Sequence, residues 1–454
     1  NDFTWPKFFE PLNEPVAKQM KHDEFSEFYI GLYASLRNRG ISKEKMMIGG
    51  PCLWGMAIYR EMFNRPVWKQ LRRFYELALP TIDFYSFHLY DKGHARITGP
   101  SYTLDGLLDL NENMAFNYAG GFRPYATSEY GGGEGSDMDV FDMDKRLKAI
   151  YFHMLAMARI LVTLVRRPYS VLKAVPYILD CADYKPVHYA GAYVREDFDK
   201  KKKFIRGPLF TYIEMWRDLR GHYVDILNES DYPDVSCFAL LEEREGGIAI
   251  LRFVIANLSN ANAQQIPFGL AKNAKISQWR LRRLYQNERG HMARQEMEIP
   301  VDTAGQSFVA SLQPGEVQYH LMWLDVYECS RKLLYNRFYG AETEQKTNKQ
   351  GHAQIHVALP QSAVDRFERA ELSVFYAVPG KHHPTPKDVS INNSSLRWAQ
   401  GEDRPARETH DMNLRCRKFP VPKGVLKAQN KVELHLREGN GLFMSAIVST
   451  WEAA

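Results

Sequence analysis

Two glutamates far apart in the chain sit in similar surroundings. One lies in Phe8-Phe9-Glu10-Pro11-Leu12-Asn13-Glu14-Pro15, the other in Tyr125-Ala126-Thr127-Ser128-Glu129-Tyr130-Gly131. Each stretch reads as a short apolar strand that ends on a carboxylate beside small or turn-forming residues. A carboxylate at the C-terminal end of a strand in a (β/α) barrel faces the active site. Two of them, on different strands, can face each other across a sugar. A retaining glycosidase needs that arrangement, with one carboxylic acid to protonate the leaving oxygen and one carboxylate to attack the anomeric carbon, about 5–5.5 Å apart. Taken alone, Asn13-Glu14-Pro15 would read as a helix cap or turn, because Asn and Pro favour such positions. The second glutamate and the order of the surrounding elements turn it toward chemistry.

Residues 1–225 alternate strand and helix five times. Strands are predicted over residues 7–12, 46–51, 82–90, 123–130 and 174–179, with a turn after the Gly49-Gly50-Pro51 end of the second. Helices are predicted over 23–39, 67–79, 104–118, 141–165 and 208–219. In the first, Phe25, Phe28, Tyr29, Leu32, Tyr33 and Leu36 share one side, with Asp23 as N-cap and Gly40 as the stop. Such alternation implies a parallel sheet covered by helices. A closed (β/α)8 TIM-type barrel has eight strands, so three β-α units are expected to precede Asn1. An open sheet of the five strands is the rival. After Tyr232 the chain turns to short alternating runs separated by Glu245-Gly246-Gly247 and Gln313-Pro314-Gly315. That is the pattern of a β-sandwich. A second all-β stretch follows the polar run 341–351. The predicted domains are therefore a catalytic barrel over 1–225, one sandwich over 226–328 and another over 329–454.

Composition narrows the classes of function. The net charge of +5, from 59 basic and 54 acidic residues in 454, is too mild to demand a nucleic-acid partner. The basic run Lys200-Lys201-Lys202-Lys203 reads as a solvated loop. The cysteines Cys52, Cys181, Cys237, Cys329 and Cys416 are five, widely spaced and in no metal-ligand pattern, so neither a disulfide framework nor a metal site is expected. No uninterrupted apolar stretch is long enough to span a membrane. The nearest, Tyr151 to Val165, carries His153 and Arg159 and reads as a buried helix. Aromatic residues at 13% suit both sandwich cores and a sugar-stacking cleft.

Taken with Asp83-Phe84-Tyr85-Ser86-Phe87-His88-Leu89-Tyr90-Asp91, the two glutamate stretches resemble glycoside hydrolase family 86, the β-agarases and β-porphyranases. That family lies in the clan of retaining (β/α)8 glycosidases with catalytic carboxylates on strands 4 and 7. The resemblance implies that Glu14 is the general acid/base and Glu129 the nucleophile. Glu14 would start protonated, and Glu129 would stay ionised with hydrogen-bond donors around it. Asn13 would bond the sugar 2-OH, and two β-sandwiches would follow the barrel. The implied activity is endo cleavage of β-1,4-galactosidic links in red-algal galactan, agarose foremost, with porphyran as the alternative. No cofactor is implied, since two carboxylates and water suffice. A polysaccharide is the expected partner, with no nucleic acid and no membrane, and the protein is expected to be a secreted, cell-surface or periplasmic monomer. Another member of the clan, such as a β-mannanase, and a non-catalytic carbohydrate-binding protein are the competing readings.

Other residues fall into place around this pair. His88 and Tyr90 share a face with Ser86 by period two and are expected to line the cleft; for His88 the alternative is a core histidine bonded to backbone. Tyr130 is expected to bond the nucleophile or stack on sugar. Trp54 is a stacking platform or a core residue. Tyr177, Asp180 and Tyr184 are expected around the end of the last strand. Glu10 is expected deeper, paired with an arginine or histidine. Glu134, Asp137 and Asp139 read as a solvated, mobile active-site loop, with a calcium site as the alternative, although the spacing does not match an EF-hand loop. Arg60, Lys92, Arg96 and Arg123 are the bases available to a sulfate group, or else ordinary surface charges.

Overall fold

The computed structural model describes residues 6–13, 22–54, 66–92, 98, 103–133, 143–177, 193–195, 204–206, 208–226, 234–270, 274–301, 307–327, 333–379, 385–397 and 412–453. The first part runs β1 (Phe8–Phe9), α1 (His22–Asn38), β2 (Met47–Trp54), α2 (Pro66–Leu77), β3 (Phe84–Lys92), α3 (Thr103–Ala119), β4 (Tyr125–Gly133), α4 (Met143–Val165) and β5 (Val171–Pro176). The five strands lie side by side in chain order. β1 pairs with β2, and β2 with β3, in parallel. Residues 84–90 of β3 are buried without a break, as strands covered on both faces are.

The strands differ from expectation mainly at their ends. β1 is two residues long, not six. β2, β3 and β4 continue past their predicted ends to Trp54, Lys92 and Gly133, while β5 sits three residues earlier than predicted. Glycine caused part of the difference, because the turn expected after Gly49-Gly50-Pro51 and the Gly-rich loop expected after Tyr130 are both strand. These glycines lie within strands, where neighbours come too close for a side chain. A Cβ on Gly49 would stand 2.5 Å from the Phe84 ring, and one on Gly50 would overlap Tyr29. Gly40 ends α1 in the left-handed region, at φ 77°. Asp23 is not the N-cap; it lies in the first turn, where its carboxylate accepts from Arg73 Nε at 2.7 Å.

The chain divides into two compact units, residues 1–88, 101–126 and 330–454, and residues 89–100 and 127–329. The second unit continues with β6 (Tyr193–Arg195), β7 (Phe204–Arg206), α5 (Pro208–Trp216), β8 (His222–Val224), β9 (Val235–Glu243), β10 (Ala249–Asn257), β11 (Gln264–Gly269), β12 (Lys275–Gln286), β13 (Met292–Glu298), β14 (Ser307–Leu312) and β15 (Val317–Val326). A six-stranded sheet, β13-β12-β15-β10-β9-β8, and the β11-β14 ribbon share an apolar core that includes Ile255, Ile266, Trp279, Leu312 and Met322. α4 packs on this region. Arg159, 1% exposed, donates to Asn257 O at 2.7 Å and Asn260 Oδ1 at 2.9 Å. Burial lowers the Arg159 pKa to about 10, with no carboxylate among its hydrogen-bond acceptors in the described residues.

The first unit ends in β16 (Leu333–Tyr339), β17 (Gln345–Lys346), β18 (His352–Ala358), α6 (Gln361–Arg366), β19 (Phe367–Pro379), β20 (Asp388–Ile391), β21 (Ser394–Ser395), β22 (Met412–Pro420), β23 (Gln429–His435) and β24 (Leu442–Ala453). The sheets β16-β24-β19-β22 and β18-β23-β20-β21 share a core that includes Ile355, Leu372, Val374, Val432 and Phe443. α3 packs on it, with its apolar and polar residues alike buried from Thr103 to Ala115. Cys52, Cys237 and Cys416 are buried free thiols, as expected. No described helix is long and apolar enough to cross a membrane.

Candidate active site

In the second unit, Glu129 is the fifth residue of β4 and half-buried. Its Oε2 accepts a hydrogen bond from Tyr90 Oη at 2.6 Å, a length typical of a donor meeting an ionised carboxylate. Tyr90 is 6% exposed, and its ring meets that of Tyr177 edge-on at 5.9 Å. Just beyond Tyr90, the Asp91 carboxylate accepts from both the backbone N–H and the hydroxyl of Thr98.

His153, from α4, ties the ends of β4 and β5 together. Its Nδ1 lies 2.7 Å from Gly132 O and its Nε2 3.2 Å from Tyr177 O. Burial holds the His153 pKa below the ordinary histidine value, against the opposite pull of those two carbonyls. The glycines after Glu129 make room for this ring. A Cβ on Gly132 would stand 2.6 Å from His153 Cα, and one on Gly131 would press on His153 and Tyr90. The Gly-rich run thus lets a helix approach the strand that carries Glu129.

Tyr130 does not serve Glu129. It is 2% exposed, and its hydroxyl lies 3.0 Å from Tyr212 Oη, which donates to Met157 O at 3.2 Å. Burial pushes its pKa up to about 12. Successive strand residues point to opposite faces, so the residue after Glu129 enters the helical layer and cannot stack on sugar.

In the first unit, Asn13 is exposed and Oδ1 accepts from Cys52 Sγ at 3.5 Å. Cys52 Sγ lies 3.1 Å from Nε2 of His88, which is fully buried. His88 is therefore not an open cleft wall. It stands behind a thiol that touches Asn13. The Cys52 N–H donates to Ser86 Oγ at 3.1 Å. Glu10 Oε1 is buried, and no arginine or histidine bonds it among the described residues, contrary to the expected pair. Burial first, then the neighbouring Cys52 and Glu10, keep the Tyr29 phenol well above its ordinary pKa.

Arg123 is no sulfate-binding base. It lies at the N-terminal end of β4 and donates to the carbonyls of Leu79, Phe122 and Pro80. Tyr177 lies beside β5 as expected. Glu14, Arg60, Arg96, Glu134, Asp137, Asp139, Asp180 and Tyr184, and the side chains of Trp54 and Lys92, fall outside the described residues. Two participants escaped the sequence reading. Cys52 looked like one more buried thiol, and His153 like a polar interruption of an apolar helix. The signal for His153 was a titratable residue inside an otherwise apolar run.

No family model matches the chain. A curated protein, β-porphyranase A of Phocaeicola plebeius, is 25% identical over 322 residues, which is 65% of this chain and 42% of that protein. The chain thus spans less than half the length of this relative. Among solved structures, a β-porphyranase of glycoside hydrolase family 86 from the human gut bacterium Bacteroides plebeius superposes with a TM-score of 0.80 at 20% identity. That match covers 99% of this chain and 79% of the other. BuGH86, solved in complex with neoagarooctaose, gives a TM-score of 0.79 at 16% identity over 98% of this chain and 72% of the other. The resemblance to glycoside hydrolase family 86 therefore holds in both sequence and fold.

Proposed function

We propose that the protein is an endo-acting retaining glycoside hydrolase that cuts β-1,4-galactosidic links in a red-algal galactan. Glu129 is the nucleophile, Glu14 the acid/base, and Asn13 the partner of the sugar 2-OH. The observation that carries this reading is the Tyr90–Glu129 bond, because it supplies the donor that an ionised nucleophile needs. Tyr90 holds Glu129 through Oε2, and the carboxylate attacks the anomeric carbon as Glu14 gives its proton to the leaving oxygen. A covalent glycosyl-enzyme forms, and water, deprotonated by Glu14, releases it. The architecture proposed around this chemistry is a (β/α) barrel over 1–225 with β-sandwiches over 226–328 and 329–454. A polymer substrate places the protein outside the cytoplasm.

The sequence alone favoured agarose. The 25%-identical relative is named a β-porphyranase, which moves the preferred substrate to porphyran, with agarose as the second reading because BuGH86 was solved with neoagarooctaose. The test is product analysis on porphyran and agarose beside Glu129→Ala. Oligosaccharides from porphyran with the parent, and none with the variant, support the proposal. Products from agarose alone keep the mechanism and change the substrate. No product from either polymer, or from mannan and xylan, would favour a carbohydrate-binding protein.

A further inference from the structure

We infer that Cys52 and His88 form a positioning pair that sets the orientation of Asn13, an inference that rests on the role proposed for Asn13. The geometry is a file of three side chains, from the segment after β1, from β2 and from β3. Because Cys52 has one S–H, its donation to Asn13 Oδ1 at 3.5 Å fixes the other contact. The 3.1 Å approach of His88 Nε2 is then an N–H donated to sulfur. The file reads His88 N–H to Sγ, then S–H to Asn13 Oδ1.

Three features make this an orienting device. His88 is fully buried and Cys52 is 3% exposed, so water does not compete for the contact between them. The backbone of Cys52 is held as well, by donation to Ser86 Oγ. Asn13 itself is exposed. Its amide would otherwise turn freely between presenting oxygen and presenting nitrogen. Committing Oδ1 to the thiol leaves Nδ2 as the face offered to a ligand, which is a donor for a sugar hydroxyl. Cys52 and His88 thus act on substrate through Asn13 and touch no reacting atom.

The test is a double-mutant cycle over Asn13→Ala and Cys52→Ala, read as kcat/KM on the galactan that the parent cleaves. Cys52→Ala should lose about tenfold, mostly in kcat, and the double variant should be no worse than Asn13→Ala within about twofold. Cys52→Ser, whose hydroxyl can make both contacts, should recover most of the loss. Losses that multiply in the double variant would mean that Cys52 only supports the fold, and would overturn the inference. Should Cys52→Ala not fold, His88→Asn replaces it in the same cycle. Crystal structures of the parent and Cys52→Ser or Cys52→Ala give a readout without turnover, with the Asn13 amide held in the first two and turned in the last. An inactive parent would end the proposed function, while an unchanged Asn13 in Cys52→Ala would end this inference.

Discussion

At the scale of residues, the separation of Tyr90 from Tyr130 is the most informative feature of the site. Both are nearly buried tyrosines next to a strand carboxylate, yet one donates to Glu129 and the other to the helical layer. We predict that Tyr90→Phe lowers kcat by about 10–100-fold, the equivalent of one hydrogen bond to a charged group, with KM nearly unchanged. Tyr130→Phe should leave kcat within about twofold and lower the thermal midpoint, because it removes a buried bond between helices and strand. Steady-state kinetics and thermal unfolding of the two variants separate the roles, and equal kcat losses would contradict the assignment. Much of this was legible beforehand. The Glu129 stretch announced a strand carboxylate, and period two put Tyr90 on the chemical face. Period two also places Tyr130 opposite Glu129, but adjacency in sequence outweighed it in the reading. The Cys52 contacts were not legible, since nothing local says that a thiol on β2 meets both Asn13 and a histidine on β3.

Elements carry a second kind of information. The ends of the five predicted helices fall within three residues of those observed, because an apolar stripe at helical spacing survives local noise. Strand ends were read less well, because glycine serves both turns and close packing, and the sequence does not say which. β11, β16 and β22 are among the strands that the sequence did not announce. β22 alternates cationic with apolar residues in Leu414-Arg415-Cys416-Arg417, a pattern that reads as surface until β19 lies beside it. Pairing between β12 and β15 creates a site with its own pH response. Trp279 Nε1 donates to His320 Nδ1 at 3.2 Å, inside a cluster with Phe253 and Phe268. Burial pushes the His320 pKa down to about 3, against about 6.5 when unfolded. The unfolded chain therefore takes up a proton first as pH falls. The stability is fully present above about 6.5 and is lost progressively toward the folded value. Gly132→Ala acts at the same scale, since its Cβ would push α4 off β4. We predict that His320→Asn, which keeps an acceptor for Trp279 but cannot titrate, flattens the fall in urea midpoint between about pH 6.5 and 4. An unchanged slope would show that the ring's burial does not govern the acid response.

Across the whole molecule, each compact unit contains both helix-flanked strands of the first half and one of the later β regions. The β regions are thus built into the units that hold the site residues. In the first unit the tie is largely polar. Asp109, on α3, accepts from Arg337 Nη2 at 2.7 Å and from Ser373 Oγ at 2.7 Å, and all three groups are largely buried. Asn113 donates to Gly340 O and accepts from Gly340 N, both at 2.8 Å. These partners lie more than 200 residues apart in sequence, so no local pattern foretold them. α3 announced only that it was a helix. A buried ion pair adds little over a well-packed apolar replacement, but removing Asp109 takes from Arg337 its nearer carboxylate and leaves only Glu112 Oε2, 3.5 Å from Nη1. Asp109→Ala should therefore destabilise the first unit by about 1–3 kcal/mol, and Asp109→Asn, whose single amide oxygen can still accept from Arg337 while its Nδ2 donates to Ser373 Oγ, by clearly less. Urea unfolding of the two variants checks this. If Asp109→Ala stays within about 0.5 kcal/mol of the parent, Arg337 has found water or another acceptor. The junction between α3 and the C-terminal sheets would then depend on apolar contacts such as that between Gly106 and the Phe375 ring.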